Sequence, residues 1–242
     1  MLFGVLADVH GNFEALRLAM DRHPDLPFWL CVGDLASRTG VYPEPPAPLF
    51  WIKGNNEDFD LVSAMARGAL VMPNLHYIPN GTARRVGPIN VAGLGGTYAP
   101  TWYRFRAADL PYPGHITPAA AATGRPVRND KRRHFLREEV EALMRLSHVD
   151  VLLTHEAPRP FYVEAEPEAG GRGRRRDAGQ TPINEVIAAL RPRLHLCGHH
   201  HRYAENLYRG VPSVCVDRVS RSYLLVDADT FRWRKLDLPQ AA

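Results

Sequence analysis

Apolar residues fall along this chain in two rhythms. Short continuous apolar runs mark strands buried on both faces, and stretches with apolar residues three and four apart mark helices. Leu2 to Ala7 and Phe28 to Val32 are runs of the first kind. Between them Asn12 is positioned to cap a helix carrying Phe13, Leu16, Ala19 and Met20 on one face. Strand, helix, strand is the signature of a βαβ unit. Leu49 to Lys53 supplies a third strand, and Asn56 or Glu57 is expected to open a helix running to about Ala66.

From Leu75 to Leu94 the pattern shifts to short strands broken by turns at Asn80-Gly81 and Gly87-Pro88. Gly95 to about Asn129 follows no period and holds five prolines and five aromatics, which favours an ordered cap over a disordered linker. Helical order resumes near Asp130, with Leu136, Val140, Leu143 and Met144 on one face, and Val149 to Leu153 is a buried strand. Arg159 to Gly179 reads as a loop. Thr181-Pro182 starts a helix as N-cap and first-turn proline, with Ile183, Val186, Ile187 and Leu190 inward. The remainder reads as strands, at 194–197, 204–208, 213–216, 222–226 and 231–236. No repeat or linker divides the chain, so one α/β domain spanning 1–242 is expected.

Composition narrows the class without naming it. With 242 residues, 45% of them hydrophobic and 23% charged, the chain has globular rather than disordered or fibrous character. No run approaches the length a membrane helix needs, and the N-terminus carries no basic leader, so no membrane association and a cytoplasmic location are expected. Cys31, Cys197 and Cys215 each lie in an apolar run, as buried free thiols do. A net charge of +4 would suit a phosphate-bearing substrate but decides little.

Chemistry concentrates in five short blocks at the ends of expected strands: Asp8-Val9-His10, Gly33-Asp34, Gly54-Asn55-Asn56-Glu57, Thr154-His155 and Gly198-His199-His200-His201. The carboxyl ends of strands are where an α/β sheet builds its ligand sites. Side chains two apart on extended backbone point the same way, so Asp8 and His10 can share one ion, and His199 and His201 can converge likewise. Oxygen and nitrogen donors without a thiolate suit manganese, iron, zinc or magnesium. Two such ions about 3.5–4 Å apart generate hydroxide at neutral pH and clamp an in-line displacement at phosphorus.

In this order the blocks resemble the calcineurin-like metallophosphoesterase superfamily, whose pattern runs D-x-H, G-D, G-N-[HD/E], H and G-H-x-H. The resemblance spans Asp8 to His201. The stretch ADVHGNFEAL is similar to the small bacterial and archaeal phosphodiesterase branch. LGGTY, then a helix, then DVLLTHEAP is faintly similar to the RNA lariat debranching enzyme. The resemblance implies a four-layer α-β-β-α sandwich of two mixed sheets flanked by helices. It further implies two divalent ions, manganese first and iron, zinc or magnesium as alternatives. One would be held by Asp8, His10, Asp34 and His201, the other by Asp34, Asn55, His155 and His199, with Asp34 bridging.

One departure stands out. The family usually has a histidine after the asparagine of its third block, assigned to contact the phosphate and help the leaving oxygen depart, and this chain has Asn56. Asparagine donates a hydrogen bond but delivers no proton at neutral pH. General-acid help is typically worth about 10²–10⁴-fold, so about 3–5 kcal/mol of barrier goes unlowered unless His200 or Tyr98 supplies the proton. Outside the blocks, His23, His76, His115, His134, His148 and His195 read as surface or core residues. Arg172, Arg174, Arg175 and Arg176 form a basic run suited to a solvated loop or, less readily, a nucleic-acid backbone. The aromatics from Tyr98 to Tyr112, with Arg104 and Arg106, suit either the core of a cap or base stacking.

The function expected is a metal-dependent phosphodiesterase acting on a nucleotide or nucleic acid, with no obligatory protein partner. The alternatives are a phosphomonoesterase or phosphoprotein phosphatase, and a metal-binding scaffold without catalysis.

Overall fold

A computed structural model describes residues 1–111, 130–164 and 175–239. Two six-stranded mixed sheets pack face to face. In the first, β1 (Leu2–Leu6), β2 (Trp29–Cys31), β3 (Leu49–Trp51) and β4 (Leu75–Tyr77) run parallel. At one edge β13 (Ser222–Asp227) pairs antiparallel with β1, and β14 (Trp233–Asp237) pairs antiparallel with β13. The second sheet has the order β11 (Ala204–Tyr208), β12 (Val211–Cys215), β10 (Leu194–Cys197), β7 (Val151–Thr154), β6 (Ile89–Leu94), β5 (Thr82–Val86). Its four inner strands are parallel and its two edge strands antiparallel to their neighbours.

The continuous apolar runs arise because each central strand faces two apolar layers. Phe3, Val5 and Ala7, with Phe28, Leu30 and Val32, point into the seam between the sheets against Val151, Leu153, Leu194 and Leu196. The alternate residues Leu6, Trp29 and Cys31 face outward onto α1 (Phe13–Asp21) and α2 (Phe59–Ala66). On the second sheet Ala92, Leu94 and Leu152 face α3 (Arg137–Met144) and α4 (Thr181–Leu190). The result is the four-layer α-β-β-α sandwich.

Asn12 caps α1 as its position suggests, accepting from the Ala15 amide at 3.0 Å. Other boundaries differ from the sequence reading. α2 begins later than expected, at Phe59, because Asp58 is its cap, accepting from the Asp60 and Leu61 amides. Asn56 and Glu57 are instead engaged at the strand ends. Gln180, not Thr181, holds the N-cap position of α4, without a side-chain capping bond, which leaves Thr181 and Pro182 within its first turn. The segment 159–179 is more than a loop, since β8 (Tyr162–Glu164) and β9 (Arg175–Asp177) form an antiparallel ribbon.

Of the expected cap, residues 95–111 are described: Trp102 packs against Phe105, and Tyr98 against Tyr103 and Phe135. Tyr112, His115, Arg172 and Arg174 lie outside the described residues, as do the side chains of Arg175 and Arg176. Among the described residues no helix is long and apolar enough to cross a membrane. All three cysteines are buried and free.

Candidate metal centre

Every block follows a strand that ends at one rim of the sandwich. Asp8 and His10 follow β1, Asp34 follows β2, and Asn55 follows β3. From the second sheet come His155 after β7 and His199 and His201 after β10. Backbone bonds lash these loops together: His10 N donates to Asp34 O at 2.8 Å, Asp8 N to Gly33 O at 3.2 Å, and Gly198 N to His155 O at 3.1 Å.

Five donor residues occupy the left-handed backbone region rather than extended backbone: Asp8, His10, Asp34, His199 and His201, with φ between 48° and 68°. For residues with a Cβ this costs about 1–2 kcal/mol each, and such strain is characteristic of sites where side-chain aim matters more than backbone comfort. Gly54 shows how tightly the loops close, because a Cβ there would stand 2.0 Å from Asp34 Oδ1 and 2.2 Å from its amide nitrogen.

Two donor groups result, and Asp34 belongs to both: Asp8, His10, Asp34 and His201, and Asp34, His155 and His199. In the first, His10 Nε2 lies 2.9 Å from His201 Nε2 and 3.6 Å from Asp34 Oδ2, while His201 Nε2 lies 3.6 Å from Asp8 Oδ1. In the second, His155 Nε2 lies 3.6 Å from Asp34 Oδ2, 3.2 Å from His199 Nδ1 and 2.9 Å from Asn55 Oδ1. All seven sequence-derived donors are therefore gathered at one place.

The donor chemistry fits divalent cations. His155 Nδ1 lies 2.8 Å from the Val32 carbonyl and donates to it, which leaves Nε2, on the Asp34 side, as the nitrogen that would ligate a cation. Burial holds His199 down at about 3 and His201 at about 4, and it also lowers His10, so these imidazoles stay neutral and available as ligands. Burial pushes the Asp8 carboxyl up, against the opposing charge of His155. For Asp34, burial is outweighed by the His155 charge and hydrogen bond, which hold it well below the usual range. Burial likewise opposes charge on His155, but Asp34 more than offsets it and raises the imidazole to about 10. A dication here would displace that proton and take its place beside the carboxylates.

Asn56 lies directly on the shared carboxylate. Its amide nitrogen donates to Asp34 Oδ1 at 2.8 Å and its Nδ2 to Oδ2 at 2.7 Å. His200 sits between the two histidine donors of its loop, its ring 5.3 Å from that of His199. Tyr98 is turned into the aromatic cluster beneath the 97–105 segment, while its amide donates to Glu156 at 2.5 Å.

Three supporting residues escaped the sequence reading. Glu57 accepts from the Leu35, Ala36 and Gly54 amides at 3.0 to 3.2 Å and from the Tyr42 hydroxyl, tying the Asp34 and Asn55 loops together. Glu156 places Oε1 3.9 Å from His199 Nε2, so it can steer that ring. Lys53 is buried and donates to the carbonyls of Arg132 (2.7 Å) and His134 (3.3 Å), fastening the Asn55 loop to the segment at 131–134. The first two stood inside or beside quoted blocks, and the third was a lone lysine at the end of an apolar strand. Each is legible only once its partners are in place. Of the remaining histidines, His195 is fully buried on Thr154, His23 bonds the Tyr223 hydroxyl, and His76 stacks on Phe50.

Comparison with known proteins places the chain in a family. Residues 1–203 match the profile of the calcineurin-like phosphoesterases. The lariat debranching enzyme of Schizosaccharomyces pombe is 25% identical over 205 residues, 80% of this chain and 42% of that protein. That of Drosophila melanogaster is 25% identical over 173 residues, 64% of this chain and 29% of that one. The chain thus spans less than half the length of these relatives. Among solved structures, TT1561 of Thermus thermophilus superposes over 98% of both chains with a TM-score of 0.61 at 15% identity, a likeness of fold. The chain belongs to the calcineurin-like phosphoesterase family, a family of metal-dependent hydrolases.

Proposed function

We propose that this chain is a phosphodiesterase with a binuclear centre, acting on a nucleotide or nucleic-acid phosphodiester. The observation that carries the reading is the position of Asp34 in both donor groups, as a bridging carboxylate requires. In this reading Asp8, His10, Asp34 and His201 hold one ion, and Asp34, Asn55, His155 and His199 hold the second, with manganese the first choice. The bound ions would supply an activated water-derived nucleophile and neutralise charge on the phosphoryl oxygens. The likeness to lariat debranching enzymes supports the nucleic-acid diester reading over the monoester one. The buried free thiols favour a reducing, cytoplasmic setting, and we read residues 1–242 as one domain.

The chain's own residues do the rest of the work. Glu57 and the glycine turns hold the Asp34 and Asn55 loops at fixed separation, so the phosphate meets a preorganised set of donors. Asn56 orients Asp34 and offers an amide to the substrate, without being able to protonate a leaving oxygen. That proton is assigned to His200.

A panel of aryl diesters, aryl monoesters and short oligonucleotides, each with added divalent metal, tests the reading. Diester turnover well above monoester turnover is expected. The reverse order would make the protein a phosphomonoesterase, and stoichiometric metal without any turnover would make it a scaffold. An Asn56→His variant should gain more on a poor leaving group than on an activated one, by about 10–100-fold. Equal gains would show that a histidine at position 56 delivers no proton to the leaving oxygen.

A further inference from the structure

The loop after β12 brings a cation to the metal-donor cluster. Val216 N donates to Cys197 O at 2.8 Å, immediately before the His199–His201 turn. Val219 N donates to Ala7 O at 2.9 Å, immediately before Asp8. Arg221 Nη1 donates to His201 O at 3.2 Å and lies 3.7 Å from Asp217 Oδ1. Arg218 is therefore carried by a short loop pinned on either side to the two segments that furnish Asp8, His10 and His201. Its side chain is half-buried, and Nε is enclosed without a hydrogen-bond partner. Among the described residues no carboxylate pairs with its guanidinium. The Arg218 charge is nevertheless felt at Asp8, His10 and His201, each of which it pushes toward the deprotonated state.

A guanidinium left without a counter-ion beside a cluster built for dications is electrostatically unfavourable unless an anion is shared between them. A planar five-donor fork is shaped to take two oxygens of one phosphate. We infer that Arg218 binds the non-bridging oxygens of the phosphoryl group, on the side of the site formed by Asp8, His10 and His201. It thereby stabilises the charge that accumulates in the transition state. This inference rests on the phosphoesterase reading and names a residue of this chain that lies outside all five blocks.

The test uses the full chain, metal-loaded, with Arg218→Ala and Arg218→Lys. Titration with inorganic phosphate in a calorimeter should show binding weakened about 10-fold or more in Arg218→Ala and less in Arg218→Lys, with metal content unchanged. On an aryl diester kcat/KM should fall about 10²–10³-fold in Arg218→Ala, with partial rescue by added ethylguanidinium, which a merely structural role would not allow. Wild-type phosphate affinity in both variants, with turnover retained, would overturn the inference and leave the phosphoesterase reading intact. Arg218-dependent phosphate binding in a protein that hydrolyses no ester would do the opposite. Should Arg218→Ala fold poorly, Arg218→Lys carries the comparison alone, since it keeps the charge and loses the fork; phosphate binding and turnover equal to wild type would overturn the inference.

Discussion

At the scale of single residues the site is a contest between burial and charge. His155 is fully enclosed, a position that ordinarily strips an imidazole of its proton, yet Asp34 at 3.6 Å holds that proton on up to about 10. Asp8, also buried, is pushed the other way, toward its neutral acid. Both groups must be deprotonated to ligate a cation, so in the metal-free protein they carry protons at neutral pH that metal uptake expels. Manganese binding at pH 7 should therefore release protons, and apparent affinity should rise with pH by about tenfold per unit for each proton displaced. Calorimetry in two buffers of different ionisation enthalpy reads the number directly, and a buffer-independent heat would contradict this account. The donors themselves were legible in the sequence because each follows an apolar strand within a short block. Glu156 and Arg218 were not, because what defines them is the neighbour each meets on another loop, His199 for one and the Asp8–His201 side for the other.

At the scale of elements, the central strands β1, β2, β3, β7 and β10 read correctly from their apolar runs, and α1 from its cap and stripe. α2 was misjudged at its start because Asn56 and Glu57 look like capping residues. Both are drawn instead to the strand ends, Asn56 to Asp34 and Glu57 to three loop amides, and Asp58 caps the helix in their place. The β8–β9 ribbon was missed because its strands are only three residues long and lack an apolar alternation. Glu57 also makes a prediction possible. Replacing it by alanine leaves three amides and the Tyr42 hydroxyl short of an acceptor, which should cost about 2–3 kcal/mol, with water relieving part of the loss. Urea unfolding measures that cost. Metal affinity should fall with it, since the same carboxylate fixes the spacing of the Asp34 and Asn55 loops, and a stable variant with unchanged affinity would show that those loops hold their places unaided.

At the scale of the whole molecule, the α/β class came through from the alternation of strand and helix, and the four-layer sandwich from the family resemblance that the block order carries. What that pattern could not convey is how the donors divide between the sheets. Asp8, His10, Asp34 and Asn55 stand on the first sheet, and His155, His199 and His201 on the second. Each candidate ion would therefore be gripped from both sides of the seam. Saturating metal should raise the thermal unfolding midpoint, by an amount that grows with the logarithm of free metal. Asp34→Asn should lose most of that increment, and thermal scans across a metal series would show it. An increment untouched by the loss of Asp34 would place the stabilising ion elsewhere.

The division has a consequence for how the protein matures. The residue at position 8 leaves the ribosome long before the one at position 201, and neither sheet alone carries a complete ligand set. A nascent or half-assembled chain offers only part of either ligand set, so full loading becomes a late event that waits on the meeting of the two sheets, and tight ion uptake should report finished folding.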